Sequence, residues 1–218
     1  DGPAGVGKST IARMVSKALG FYFLNSGNFY RAITLRVLQL GVDPLDPVEV
    51  LKTASAIVFT VVDERVHVDG VDVEPLLHTD EVDRHVAAHS AIVEVRTIVN
   101  RTLRSLAAGG LSLVGEGRDL TTVVFPEADC KIFLDASPAV RALRRYNQQE
   151  TSMSLEELER SIAERDHIDR NKPVGALRVA LDATYIDSSY LTIEEVYEKV
   201  LRVIFEHTGI GVPGNKDQ

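Results

Sequence analysis

The sequence is short of several things, and each shortage narrows its function. It has one cysteine, Cys130, so no disulfide can close within the chain. A reducing, cytoplasmic setting is the simplest reading. Cys130 stands just before the apolar run KIFLDA, where a buried structural thiol is expected rather than a nucleophile. No apolar stretch approaches the ~18–20 residues of a membrane span, and none resembles a signal peptide. Positive charge is in deficit: 24 Lys and Arg against 32 Asp and Glu give a formal net charge of −8. That argues against general nucleic-acid affinity, which rests on cationic patches. It leaves room for a site that binds one small anion, because local charge can oppose the global sign and the arginines cluster in particular segments. Internal repeats and low-complexity tracts are missing too. What remains is an ordinary globular composition over 218 residues, enough for one domain with an insert or two small ones.

The chain opens DGPAGVGKST, which fits G-x-x-x-x-G-K-[ST]. In this phosphate-binding loop the candidate contacts are Gly2, Ala4, Gly5, Val6, Gly7, Lys8, Ser9 and Thr10. Glycines let backbone N–H groups curl around phosphate oxygens without side-chain clashes. The helix that follows adds free N-terminal donors and the positive end of its dipole. Lys8 supplies a charge for the β/γ-phosphates, and the Ser9 hydroxyl can hold Mg²⁺. Ile11, Met14, Val15 and Leu19 repeat at helical spacing, with Gly20 as the stop. A loop of this kind follows a strand, so a short apolar segment upstream of Asp1 is expected in the working protein.

Further along, FYFLNSG (21–27) reads as a short strand ending in a polar turn, and Phe29 to Leu40 as a helix. A loop with two prolines precedes a helix over Glu49 to Ile57. VFTVV, VHV and VDV alternate at period two around Asp69-Gly70, the signature of a three-stranded antiparallel meander. Thr79 to Ala107 reads as helix, LSLVGEGRD (111–119) and KIFLDAS (131–137) as apolar strands ending in polar turns. Arg141, Arg144 and Arg145 read as one face of the next helix, in part a solvated one. Ser154–Glu157 and Thr192–Glu195 are capping boxes that open two helices, with a strand at TYIDSS between them. Short apolar strands alternating with amphipathic helices predict an α/β fold with a doubly wound parallel sheet. The phosphate loop, NSG and GEGRD all fall at strand C-terminal ends, where such sheets bind ligands. His67, His78, His85 and His89 have no metal-ligand spacing and read as surface or insert residues.

The loop alone does not name the second substrate. A GTPase needs an N-K-x-D type motif, and Asn171-Lys172 is followed by Pro-Val. A small kinase with a lid remains. LNSGNFYRA, VEVR, VGEGRDLTTVVFPEADCKIFLDAS and ERDHIDRNKPVGALR, in this order after the loop, resemble bacterial-type cytidylate kinases over almost the whole chain. The resemblance implies a phosphate-loop kinase core over 1–40, 90–145 and 173–208. It implies a nucleotide-monophosphate-binding insert over 41–89, a helical lid over 146–172 and a flexible tail over 209–218. It implies phosphoryl transfer from ATP, with Mg²⁺, to CMP or dCMP by a cytoplasmic monomer without nucleic-acid or membrane partners.

Residue by residue, the resemblance places Ser26 and Arg31 near the acceptor phosphate. Arg96 and Asp119 would read cytosine, whose exocyclic amine suits a carboxylate and whose N3 and O2 suit an arginine. Arg118 and Arg165 would surround the acceptor phosphate, and Asp169 would meet the pentose. Glu116 could hold a Mg²⁺-bound water. By the same resemblance, Lys8, Arg118, Arg165 and Lys172 would be the catalytic cations. Arg165 and Asp169 also have the i,i+4 spacing of an ordinary helix ion pair. Four positions depart from the pattern: Ala87 for a cytosine-contacting serine, Asn25 for an aspartate, Thr121 for a glycine and Lys172 for an arginine. Another acceptor (UMP, AMP or a metabolite) and a non-catalytic nucleotide-binding regulator are the rival readings.

Overall fold

The computed structural model describes residues 1–147 and 153–213. Residues 148–152 of the expected lid and 214–218 of the expected tail lie outside the described residues. Along the described chain run α1 (Lys8–Leu19), β1 (Tyr22–Asn25), α2 (Ser26–Gln39), α3 (Pro47–Ala56), β2 (Phe59–Val62), β3 (Arg65–Val68) and β4 (Val71–Asp72). Then come α4 (Asp80–His89), α5 (Val93–Ala107), β5 (Leu113–Glu116), β6 (Ile132–Asp135), α6 (Pro138–Asn147), α7 (Leu155–Asn171), β7 (Thr184–Asp187) and α8 (Ile193–Thr208). The chain forms two compact units, one of Asp1–Phe21 with Val114–Gln218 and one of Tyr22–Leu113.

In the first unit β6 and β7 pair in parallel, Ile132 opposite Thr184 through Asp135 opposite Asp187. Alternate residues of a parallel strand bond to opposite neighbours. Lys131 and Asp135 carbonyls accept from Thr184 and Ser188, while the Asp1 nitrogen donates to Ile132 and Leu134 donates to the Asp1 carbonyl. The backbone of Asp1 therefore occupies a ladder position on the other edge of β6, at the strand end from which the phosphate loop departs. Val6, Ile11, Val15 and Leu19 bury against Leu134, Ala136, Ile186, Val196 and Val200, so one apolar cluster joins the loop, α1, both strands and α8. Gly20 takes φ 68° and closes α1; both capping boxes form, at Ser154 for α7 and Thr192 for α8. Ala142, Leu158 and Ile162 join α6 to α7 in a smaller cluster.

The second unit carries the expected meander, β2–β3–β4, antiparallel throughout. Asp69 and Gly70 turn one hairpin with φ 52° and 81°; Asp63 and Glu64 turn the other with φ 50° and 63°, a two-residue turn made without glycine. Phe29 of α2 meets Phe59 of β2 with ring centroids 5.3 Å apart.

Three helical boundaries differ from the sequence reading. α2 begins at Ser26 rather than Phe29, because the Asn25 side chain accepts from the Gly27 N–H and caps it. α3 begins at Pro47, behind the capping carboxylate of Asp46. The single helix expected over Thr79–Ala107 is two, since Ile92 is extended at ψ 119°. The break has a use: it leaves the Ser90 carbonyl to accept from Arg96 at 3.1 Å.

Candidate functional site

The opening loop is built from backbone. Gly2 has φ 156°, and a Cβ there would lie 2.1 Å from the Leu134 carbonyl oxygen, so only glycine fits against β6. Gly7 caps α1 at φ 96° with no side chain satisfying the first turn. The amides of that turn are thereby left for an anion, with the helix dipole behind them. Val6 is buried and anchors the loop, while Gly5, Gly7, Ser9 and Thr10 are exposed. Lys8 folds back, its Nζ donating to the Pro3 carbonyl at 2.7 Å. Burial first, then the Arg118 guanidinium, holds its ammonium down at about 7, far below the ordinary lysine value; Glu116 and Asp169 pull the other way.

Ser9 Oγ donates to the buried Glu116 carboxylate at 2.6 Å. This places two hard oxygen donors together at the end of β5 and the start of α1, the chemistry that suits a magnesium ion also held by phosphate oxygens and water. Among the described residues no cluster of three or more His, Cys, Asp or Glu could hold a metal by itself.

The unit's cations converge on the same loop. Arg118 Nη1 donates to the Gly2 carbonyl at 3.0 Å, and its Nε lies 3.3 Å from Asp169 Oδ2. Lys172 Nζ reaches the other Asp169 oxygen at 3.5 Å. Asp169 of α7 thus pairs with Arg118 and Lys172, and the i,i+4 pairing with Arg165 does not form. Arg165 is exposed and close enough to lower the Arg118 pKa, after burial and against Asp169. It shares a cavity with Ala4, Gly5, Arg141, Arg145, Ser161 and Asp166. Asp119, buried, follows directly and is succeeded by a π-helical turn, Leu120–Val124.

Two residues of this unit escaped sequence reasoning. The Asp1 carboxylate accepts from the Leu120 N–H at 3.1 Å and from the Thr121 N–H and hydroxyl at 2.8 and 2.6 Å, tying the phosphate loop to the GRD turn. Its signal was its place just before the motif's first glycine. Thr121, which departs from a glycine pattern, keeps an ordinary negative φ and uses its hydroxyl in this clasp. The second is Arg141, read above as one of a solvated face and in fact 1% exposed. Its Nε donates to the Ala136 carbonyl at 2.9 Å, one Nη to the Ala4 carbonyl of the loop at 3.0 Å, and both Nη to the Asp166 carboxylate of α7. Arginines at i, i+3 and i+4 on a short helix carry no periodic mark that singles out the buried one. Cys130 is half-buried rather than buried, and burial pushes its thiol up, the opposite of nucleophile activation.

In the second unit Ser26 opens α2 and is buried. Arg31, one turn on, donates from Nη1 to the Leu77 carbonyl at 2.9 Å and pairs through Nη2 with Asp83 at 2.6 Å. Arg96 of α5 is buried, with its guanidinium carbon 5.5 Å from the centre of the Tyr30 ring. Ser26, Arg31 and Arg96 are thus brought onto two helices of one unit, with Tyr30 linking α2 to Arg96. Ala87 is exposed on α4. His89, expected as a surface or insert residue, ends α4 within the insert and is 1% exposed: Nε2 faces the Pro44 carbonyl at 2.9 Å, which can only accept, and Nδ1 lies 2.8 Å from the oxygen of the Thr34 hydroxyl, which donates to the Tyr30 carbonyl at 3.0 Å. Burial lowers its pKa, which disfavours the charged ring.

Comparison with known proteins matches one family over most of the chain. A family model described as cytidylate kinase matches residues 1–206. The chain is 40% identical over 210 residues to a cytidylate kinase of Borrelia hermsii, covering 93% of this chain and 94% of that one. It is 39% identical to a Mycobacterium leprae cytidylate kinase, covering 96% and 95%. It is 41% identical to one from Rhodopirellula baltica, covering 94% and 91%. With the family model matched over residues 1–206 and relatives near 40% identity over more than nine-tenths of the chain, the chain belongs to the cytidylate kinase family.

Proposed function

We infer that the chain transfers the γ-phosphoryl group of ATP to CMP or dCMP, giving ADP and CDP or dCDP. The observation that carries this is the phosphate loop: uncapped α1 amides, Lys8 and the Ser9–Glu116 pair, in a chain whose residues 1–206 match the cytidylate kinase family. A phosphate oxygen of CMP attacks the γ-phosphorus in line, and the bond to the β,γ-bridging oxygen breaks, leaving ADP. The attacking oxygen is already anionic, so no general base is required, and catalysis consists of positioning and charge neutralisation.

In this reading the loop amides and Lys8 hold the donor phosphates. Ser9, directly, and Glu116, through water, would hold magnesium, which when bound draws charge off the phosphate oxygens. Arg118, Arg165 and Lys172 neutralise the transferring group, with Asp169 keeping Arg118 and Lys172 in place and meeting the pentose. Ser26 and Arg31 bind the acceptor phosphate, and Arg96 and Asp119 read the base. α7, which bears Arg165, Asp169 and Asp166, is the moving part of a lid over 146–172 that excludes water once both substrates are present. Residues 41–89 serve as the acceptor-binding insert. Among the described residues no helix is long and apolar enough to cross a membrane; the setting we propose is the cytoplasm, and the working form a monomer.

The test is ADP formation from ATP and Mg²⁺ with CMP, dCMP, UMP, AMP, GMP or no acceptor. Turnover confined to CMP and dCMP is the expected result. Preference for UMP or AMP would remove Arg96 and Asp119 as base readers. ATP turnover that ignores every acceptor would sink the kinase reading.

A further inference from the structure

The surroundings of Arg31 are poorly suited to an anion as they stand. Its guanidinium is largely covered, and one edge is already engaged by Asp83, from the first turn of α4, at 2.6 Å. Asp83 is half exposed, with 49% of its side chain open to solvent against 17% for Arg31. His78 lies within the field of both. Burial lowers its pKa first and Arg31 second, while Asp83 and Glu74 raise it. Glu74 is a second carboxylate of the same neighbourhood, engaged by the Asn28 amide at 2.6 Å and the Val66 N–H at 3.2 Å. One guanidinium is therefore paired with the Asp83 carboxylate, beside an imidazole whose charged form is disfavoured. A phosphate dianion arriving here meets a cation whose charge is already answered.

Carboxylate and phosphate are the same kind of ligand to a guanidinium: both accept two parallel N–H bonds. We propose that Asp83 is an internal competitor for the acceptor's phosphate. It holds Arg31 in the conformation seen here, and phosphate binding exchanges one anion for the other. The inference rests on the reading that Arg31 binds the acceptor phosphate. Leu77 keeps its hold on Nη1 through a backbone carbonyl, so the guanidinium stays anchored while its Nη2 edge changes partner. The exchange makes Asp83 a brake on acceptor affinity: an acceptor carrying a phosphate must displace it, and the bare nucleoside leaves the pair intact. Because Asp83 is half exposed, the competition is modest, of the order measured for surface ion pairs, or about 1.5- to fivefold in affinity.

The experiment is steady-state kinetics of Asp83→Asn, which removes the charge and keeps the shape, beside Asp83→Glu, which keeps the charge. For Asp83→Asn the KM for CMP should fall about 1.5- to fivefold, with the KM for ATP and the inhibition constant of cytidine unchanged. The difference from the parent should narrow as NaCl is raised. Asp83→Glu should retain the parent KM for CMP. A CMP KM that rises in Asp83→Asn would make Asp83 a support for Arg31 and overturn the proposal. An unchanged KM, or an equal shift for CMP and cytidine, would overturn it as well. Arg31→Met separates this from failure of the underlying reading: if it leaves the KM for CMP unmoved, Arg31 is not an acceptor ligand at all. If it raises that KM while Asp83→Asn does nothing, only the competitor is refuted.

Discussion

Lys8 shows how much one residue depends on its surroundings. A lysine held at about 7 is only partly charged near neutral pH, and phosphate oxygens brought against it favour the charged form. Binding of ATP at pH 8 should therefore take up a proton, where ATP itself is fully ionised. Titration calorimetry in two buffers of different ionisation enthalpy measures this directly, and heats that do not depend on the buffer would refute it. His89 works with the opposite consequence for stability. Its folded pKa lies below the ordinary value of 6.5, so the protein is most favoured where the ring is neutral in both states. As pH falls below that value the unfolded chain takes up a proton that the folded one refuses, and stability drops. Urea midpoints measured at pH 7.5 and 5.5 should show the loss, and His89→Gln should reduce it.

At the scale of elements, the buried Arg141–Asp166 pair joins α6 to α7 and reaches the phosphate loop through Ala4. Removing one partner of such a pair strands a charge in an apolar place. Asp166→Ala should cost about 3–5 kcal/mol in urea unfolding, whereas replacing both by apolar residues of similar volume, as in Arg141→Met with Asp166→Leu, should cost much less. Equal losses from the two variants would mean that packing rather than charge holds α7 to α6. The capping boxes at Ser154 and Thr192 belong to the same scale: each satisfies two terminal amides locally, and each was readable from a four-residue string.

At the scale of the whole molecule, the proposed function divides donor and acceptor contacts along the chain. In the proposed function the donor phosphates sit on residues 1–19, while Ser26, Arg31 and Arg96 of the second unit serve the acceptor. Hydrogen exchange should show ATP alone slowing α1 and its preceding loop, and CMP alone slowing α2 and α5. Protection of α2 and α5 by ATP but not by CMP would contradict that division of labour. Either ligand at a hundred times its Kd should also raise the unfolding free energy by about 2.7 kcal/mol.

The sequence by itself determined whatever depends on near neighbours. The phosphate loop follows from the spacing of Gly2, Gly7, Lys8 and Ser9, because the loop wraps its ligand with consecutive backbone amides. The meander follows from period-two alternation around Asp69-Gly70, and the helix starts from the boxes at Ser154 and Thr192. The tertiary structure decided what depends on residues far apart in the chain. Arg141 and Arg145 look alike in PAVRALRRYN, and only the arrival of Asp166, 25 positions later, makes the first a buried tie. His89 looks like His85 until Thr34 and Pro44 close around it. Asp169 could have answered Arg165 four residues away, yet it answers Arg118, 51 positions earlier. The physical reason is common to all three. A local pattern sets which backbone shape is cheap, but burial and charge pairing are set by whichever groups the folded chain brings within a few ångströms, and one-dimensional spacing does not carry that distance.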